Sequence, residues 1–515
     1  MSIEQTIIKS ENMPGLFERV SVKRWYFAVL GAAILLYAVS CAPGSLWQDS
    51  GMIQYRVLHN DIEGGLGLAL SHPLFYVLAI GAKYVPVGEF THRVNLVSAI
   101  AAAVSVANVF LLLRLWLGKN LPGVIGAVTF ALSHTFWQHA SIAETYTLYT
   151  AIFTAELIML LQYVKSRQVK YLYWLGMFNG LAISDHMLAS IPLLCYAIFF
   201  VTLLAKKDIH PKHLAVIIGL WVIGALPYEY LIVKNLIQTG DLWGTLASAA
   251  FGSSWKGAVL NTGLSFRIVK ENVMWILLNF PTLNILLLFF GLAGLYKIQP
   301  VRGFSNVLLA LLVLFFVFAF RYTIVDRYAF FIPFYCLTSI LIGVGAYVFL
   351  SGKKKVLVWI VLLLALLPVP AYAFVPVAAK YMGLKNGRGR EIPYRDDCVY
   401  FLRPWQTAYL GADRFANEAL DAVEDNAIIY ADGTTVYALL LAQEVGDKHR
   451  DVTVVSGHGT VNNLKEYNED VIDELFRQRS IYVVSAVKGY FPLFLSERYE
   501  FEKKGVLYKA AEKNK

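Results

Sequence analysis

A chain of 515 residues that is 57% hydrophobic and only 16% charged, with a mean hydropathy of +0.54, is excluded from the soluble globular class; most of it belongs in lipid. The formal charge of +9 comes largely from lysines and arginines between apolar runs, so it speaks of topology and anionic headgroups. No basic strip is interleaved with aromatics, and nucleic acid is not an expected partner.

The first 24 residues are mixed in charge and lead into a long apolar run without a convincing small-residue cleavage site, which predicts a retained first span. Apolar stretches able to cross a hydrocarbon core of about 30 Å as helices of about 20 residues occur at 26–42, 94–113, 122–140, 146–164, 171–187, 188–205, 214–233, 273–296, 303–320, 328–350 and 356–378. The apolar run 74–86 is short and contains Lys83 and Pro86, so it reads as an interfacial or re-entrant helix. Counting it as a span would invert everything after it.

Lys and Arg in short loops are retained on the cytoplasmic side. Lys23 and Arg24 precede the first span, and Arg114, Lys119, Lys165, Arg167, Lys170, Lys206, Lys207, Lys212, Lys297, Arg302 and Lys353 to Lys355 follow every second one, whereas the turns at 141–145 and 185–188 carry none. The pattern predicts a multi-pass integral membrane protein with a cytoplasmic N-terminus. Residues 379–515 then lie outside, in the periplasm or extracellular space. Cys41, Cys195 and Cys336 fall in apolar spans and Cys398 in the outer part, giving no disulfide framework and no CxxC pattern.

Beyond 378 the composition becomes that of a soluble domain. A polar joint at 385–391 leads to helical spacing at 413–424, β-branched runs at 427–430, 452–455 and 480–484, and a helix-like stretch at 434–445. Strands alternating with helices predict a small parallel α/β layer. The turn 431–435 lies where such a sheet would end, and reads either as a ligand-binding loop or as a tight turn with an N-cap. Neither a GxGxxG nor a P-loop spacing is present, so a nucleotide cofactor has no support. The expected organisation is a transmembrane domain of about eleven helices over 1–378, including a long first exterior loop at 43–93 with interfacial helices, and an exterior domain over 379–515.

A set of polar residues at the ends of the expected spans falls on one side of this topology: Asp49, His72, Glu144, Asp185, His186, Arg321, Asp326 and Arg327. Asp49 follows Trp47 just past the first span; it is placed to act as a general base at the membrane surface or merely to cap the helix 50–59. His72 precedes Pro73 at a helix start. Glu144 and Tyr146 close a segment where an apolar span dissolves into polar and aromatic residues, and burying Glu144 in lipid would cost about 2.5 to 3.5 kcal/mol, so it should face a polar cavity or the surface. Arg321, Asp326 and Arg327 sit between the ninth and tenth expected spans, and Asp185 and His186 at an outer turn. The loop 234–271, with Trp243, Phe251, Trp255 and Lys256, is amphipathic enough to lie on the membrane. No His, Asp and Glu spacing amounts to a metal site, and no cofactor is firmly implied, although His72, His134, His139 and His186 leave a divalent metal open.

The order of these markers resembles the GT-C class of membrane glycosyltransferases, specifically the protein O-mannosyltransferase-like family that includes the bacterial relatives of transmembrane protein 260. The residues that carry it are Trp47-Gln-Asp-Ser-Gly51, Ser71-His-Pro73, Arg93-Val-Asn-Leu-Val-Ser-Ala99 and Phe136-Trp-Gln-His-Ala-Ser-Ile-Ala-Glu-Thr-Tyr-Thr-Leu148, against the family patterns W-D-S-G-E, H-P-P-G, R-x-N-L-x-S-A and F-W-x-x-A-x-x-A-E-x-Y-x-L. Met52 replaces the acidic residue that usually follows D-S-G, and Leu74 and Phe75 replace the second proline and the glycine of H-P-P-G. The resemblance implies inverting transfer of one sugar from a polyprenyl-phosphate donor to a hydroxyl of a protein Ser/Thr or a glycan, at the exterior face. Asp49 would be the base, while His72, Glu144, Tyr146, Asp185, His186, Arg321, Asp326 and Arg327 would bind substrate. A lipid or solute transporter would also cluster polar residues, but near the midplane and with repeat symmetry, which the spans do not show. A non-catalytic scaffold would explain the outer domain without explaining Asp49 and His72.

Overall fold

A computed structural model describes residues 21–86, 88–252, 256–259, 261–298, 301–324, 326–383 and 390–513. Most of the first 24 residues, Trp255 and most of the joint at 385–391 lie outside the described residues. Within them, seven helices are long and apolar enough to cross a membrane: Val22–Ser40, Phe90–Leu117, Tyr146–Ser166, Met187–Ala205, Pro211–Thr239, Arg302–Arg321 and Arg327–Leu350. The other four expected spans are also helical, but broken, bent or short in ways that the apolar pattern does not reveal.

The expected straight span 273–296 is instead the helix pair Phe266–Asn279 and Leu283–Gly294, bent by 104°. Pro281 supplies the reason, because the residue before a proline is pushed out of the helical region and Phe280 has φ −128° and ψ 66°. A milder 40° bend separates Lys355–Leu366 from Pro368–Tyr381. The span 122–140 is two helices, Asn120–Ala131 and His134–Ala140, parted where Ser133 is extended. The span 171–187 is the 16-residue helix Lys170–Asp185, which ends because His186 is extended at φ −153°. The 74–86 run forms Pro73–Lys83; its 11 residues reach only about 16 Å, too short to span.

Small residues let the membrane helices approach closely. Lys170–Asp185 crosses Pro211–Thr239 at Gly180 and Gly224, where an added Cβ would come within 2.1 Å of the Trp221 carbonyl oxygen and 2.5 Å of that of Met177. A polar network ties the same region together. Glu156 is fully buried; it accepts from Tyr196 Oη at 3.0 Å and from Asn179 Nδ2 at 3.2 Å, and Asn179 Oδ1 in turn accepts from Trp221 Nε1 at 3.0 Å. Each group in it has a partner across helices, which is what buried polar side chains require.

The C-terminal unit is an α/β layer built on β1 (Ile428–Tyr430), β2 (Thr453–Val455), β3 (Gly457–His458), β4 (Val461–Asn462), β5 (Ile481–Val483), β6 (Tyr499–Lys504) and β7 (Leu507–Glu512). Its main sheet has the order β2-β1-β5-β7-β6. The three expected runs pair in parallel, Ile429 opposite Val454 on one side and Tyr482 on the other. To this parallel layer β7 adds antiparallel to β5 and forms a hairpin with β6, two strands that the sequence reading does not include. At the turn 431–435, Asp432 Oδ1 accepts from the Thr435 amide at 3.1 Å and from its hydroxyl at 2.7 Å, and Oδ2 pairs with Arg390 Nη2 at 2.7 Å. The carboxylate is spent on the turn and on Arg390.

This unit grips the start of the first long loop. Trp47 and Met52 belong to its apolar core with Phe415, Ala416 and Tyr437. Around them, Trp47 Nε1 donates to Tyr409 Oη at 2.5 Å, Ser45 Oγ to Asp413 Oδ1 at 2.6 Å and the Gln48 amide to the Thr434 carbonyl at 3.2 Å.

Candidate active site

Asp49 occupies the first turn of the helix Gln48–Leu58, whose N-cap is Trp47. It is therefore not the capping residue. Gln48, at φ 53°, turns the chain through a conformation that L-residues seldom adopt, and this swings Asp49 away from the Trp47 anchor. Gly51 permits the tight return: an added Cβ would stand 2.4 Å from the Leu46 carbonyl oxygen and 3.2 Å from Tyr437 Cβ. The Asp49 side chain is exposed and lines a cavity of about 620 Å³ between the membrane helices and the C-terminal unit. Among the described residues its carboxylate has no hydrogen-bond or ion-pair partner, and desolvation pushes its pKa up.

Two buried amides fix the loop in front of it. Gln54 Oε1 accepts from the Leu46 amide at 3.1 Å and its Nε2 donates to Gly44 O at 3.2 Å and Asn95 Oδ1 at 2.9 Å, while Asn95 Nδ2 donates to Ala42 O at 2.9 Å. Three residues further along that helix, Ser98 Oγ bonds both the amide and the carbonyl of Glu144 at 2.9 and 2.8 Å. One helix, Phe90–Leu117, thus positions both carboxylates. Sequence reasoning had Asn95 and Ser98 only as pattern letters.

Glu144 is half-buried in the cavity wall beside Ser50, whose Oγ lies 3.4 Å from Oε1. Burial raises its pKa well above the ordinary carboxylate range, and Asp49 and Asp326 add like-charge repulsion. His72, Tyr146, His186 and Asp326 line the same cavity. His72 takes a left-handed backbone at φ 52°, and the loop bearing it is held by the buried Arg56, which pairs with Asp61 at 3.4 Å, donates to Ser71 O at 3.1 Å and to Tyr76 Oη at 2.8 Å, and stacks on the Tyr76 ring.

Three sequence candidates lie off the cavity surface. Asp185 is fully buried and contributes its carbonyl to His72 Nδ1 at 2.6 Å. The Arg321 Nη1 donates to the carbonyls of Val259, at 2.7 Å, and Asn261. Arg327 pairs with Glu271 and stacks 4.5 Å from the centre of the Trp275 ring. Among the described lining residues there is no Lys or Arg, and the wall facing the helices is apolar, with Leu188, Ile191, Phe251, Val259, Phe318 and Phe330.

The C-terminal unit adds Tyr400, Phe401 and His458 to the lining, none of them a sequence candidate. Nothing local marks them, since they reach the cavity through the docking of Trp47. Among the described residues, the group close enough to hold a metal is Asp425, His449 and Asp451 on the C-terminal unit; none of these lines the cavity.

The sequence profile of the family described as the protein O-mannosyl-transferase TMEM260 N-terminal domain matches residues 69–210. The match takes in His72, Arg93–Ala99 and Glu144 but begins after Asp49. Among curated proteins, the mouse (Mus musculus) protein O-mannosyl-transferase TMEM260 is 25% identical over 225 residues, which are 42% of this chain and 31% of that protein. The chain thus spans about a third of the length of this relative. Among solved structures, ArnT from Cupriavidus metallidurans bound to undecaprenyl phosphate superimposes with a TM-score of 0.63 at 11% identity, and its apo form with 0.62 at 12%, each covering 95% of this chain and 98% of the other. At such identity the likeness is one of fold. The chain resembles the protein O-mannosyltransferase-like family and has a GT-C architecture, a polytopic helical membrane body with a small C-terminal α/β unit.

Proposed function

We propose that the chain is a glycosyltransferase that moves one sugar from a polyprenyl-phosphate donor to a hydroxyl of a protein or glycan acceptor, at the exterior face of the membrane. The single observation that carries this reading is Asp49, a carboxylate without a hydrogen-bond partner among the described residues, facing a cavity, held by a strained turn and released from any capping role. In the proposed step the acceptor oxygen attacks the anomeric carbon while its proton passes to Asp49, and the bond from that carbon to the phosphate oxygen breaks on the opposite side. The lipid phosphate leaves with the bonding pair, and the configuration inverts. Raising the pKa of Asp49 by burial makes it a stronger base than an ordinary aspartate.

The apolar wall suits the first isoprene units of a donor, and the roof formed by Tyr400, Phe401 and His458 restricts water. Arg321 and Arg327 support the reading as positioning residues: their guanidinium groups tie Val259, Asn261, Glu271 and Asn272 to the helix ends that bound the cavity. The orientation with lysine-bearing loops inside is part of the same proposal and follows from the charge rule.

The test is transfer from a panel of radiolabelled polyprenyl-phosphate sugars to endogenous acceptors, in membranes containing equal amounts of wild type or Asp49→Asn. Transfer with wild type and its loss in the variant is the expected outcome. Equal transfer by both removes Asp49 as the base.

A further inference from the structure

Three histidines in the cavity wall have their tautomers dictated by backbone groups: His139, whose Nδ1 lies 2.7 Å from the Thr135 carbonyl oxygen, and the neighbouring pair His72 and His186. His72 Nδ1 stands 2.6 Å from the carbonyl oxygen of Asp185. A carbonyl can only accept, so the ring hydrogen is on Nδ1 and Nε2 carries a lone pair. His186 is arranged the other way: its Nδ1 accepts from the backbone N–H of Leu188 at 3.1 Å, which leaves the hydrogen on Nε2. Both rings line the cavity, their centroids are 4.8 Å apart, and neither Nε2 has a hydrogen-bond partner among the described residues. Burial lowers the His72 pKa to about 4, in keeping with a neutral ring. The Tyr146 ring, 4.9 Å from that of His186, and Phe330, 5.9 Å away, pack it in place.

We infer that His72 and His186 form a neutral acceptor and donor clamp for two vicinal hydroxyls of the transferred sugar, an assignment that rests on the glycosyl-transfer reading. One hydroxyl gives its hydrogen to His72 Nε2, and its neighbour accepts from His186 Nε2–H. A hydroxyl does both, whereas an ionised carboxylate only accepts, so the Asp49 and Glu144 side of the cavity cannot replace the His186 donor. The clamp carries no charge and shares its cavity with three carboxyl groups, Asp49, Glu144 and Asp326. It therefore fits a neutral sugar with an intact vicinal diol and disfavours a sugar acid, whose carboxylate would meet like charge.

The experiment has two arms. In the first, full-length protein labelled with 15N-histidine is placed in lipid nanodiscs, and the ring nitrogens are assigned with His72→Phe and His186→Phe. The expected spectrum shows His72 as the Nδ1–H tautomer and His186 as the Nε2–H tautomer at neutral pH. Titration with a methyl hexopyranoside should shift both Nε2 signals, and its monodeoxy analogue should shift at most one. The opposite tautomers, or signals indifferent to the sugar, would overturn the clamp.

In the second arm, wild type should transfer monodeoxy sugars from their polyprenyl-phosphate donors about tenfold or more poorly than the parent sugar, the cost of leaving one buried polar group unpaired. His72→Phe or His186→Phe, checked for folding by thermal unfolding, should reduce that discrimination to about twofold. Discrimination unchanged in both variants refutes the assignment. If wild type transfers no sugar from any donor, it is the transferase reading that falls, and the 15N titration alone then decides whether the pair binds a diol.

Discussion

Glu156 and Asp49 are both carboxylates surrounded by protein, and their surroundings differ in one respect. Glu156, in the middle of a membrane helix, accepts from Tyr196 and Asn179 and joins helices that would otherwise meet only through apolar contacts. Asp49, at the mouth of the first span, has no such donors and faces a cavity. A buried polar group with all its partners serves the fold; one kept without partners, at the expense of stability, is available for something else. An ionisable residue at membrane depth is a functional candidate by default, and the contrast shows that its hydrogen bonds, more than its depth, decide whether the default holds.

Substitutions that separate the two roles test the contrast. The largest effect is expected at Asp49: Asp49→Asn should lower kcat for sugar transfer by about 10² to 10⁴, the range associated with losing a positioned base, while thermal unfolding of the detergent-solubilised protein should show a midpoint at or above that of wild type. A lower midpoint would mean that Asp49 is structural after all. Next comes Gly51→Ala. Its new methyl group meets the Leu46 carbonyl oxygen, which cannot yield without moving the Asp49 turn, and misplacement by about 1 Å costs on the order of 10²-fold in rate.

A smaller change is expected from Glu144→Gln. Asp49 must be ionised to accept a proton and its pKa is raised, so kcat/KM should fall as pH drops through a value above the usual aspartate range near ~3.9. Glu144 feels the Asp49 charge, and the coupling is mutual. Removing it should move the acid limb of the kcat/KM profile to lower pH, with a loss at the optimum of about tenfold or less. An unmoved limb would uncouple the two carboxylates. The smallest effect belongs to Glu156→Gln, which keeps shape and most hydrogen bonds: transfer within about twofold of wild type, and a stability loss of about 1 kcal/mol. Loss of activity there comparable to Asp49→Asn would erase the distinction between the two sites.

The membrane body was legible because hydrophobic length is a strong signal, and the eleven apolar runs all became helical. Where the chain departs from straight spans, the reason was written in single residues that a sliding count ignores, above all Pro281, which turns one expected span through 104°. The β6 and β7 hairpin was missed although Gly505, at φ 59° in a two-residue turn between Lys504 and Leu507, is the residue such a connection favours; the flanking charges hid its alternation. At the site, Asp49, His72, Glu144, Tyr146, His186 and Asp326 do share one cavity. Arg321 and Arg327 stand out by their charge and their side of the membrane, whereas their engagement by Glu271 and by the carbonyls of Val259 and Asn261 is set by the fold. Gln54, Asn95 and Ser98 act on backbone groups distant in the chain, which only the fold discloses.

The burial of Trp47 among Phe415, Ala416 and Tyr437 has a bearing on when the site comes into being during synthesis. The turn that presents Asp49 is made early, but the pocket that receives its anchor is not complete until residues some four hundred positions later have been made and folded. A growing chain would carry the carboxylate long before its enclosure existed, so reactivity would be switched on once, by docking, at the close of assembly.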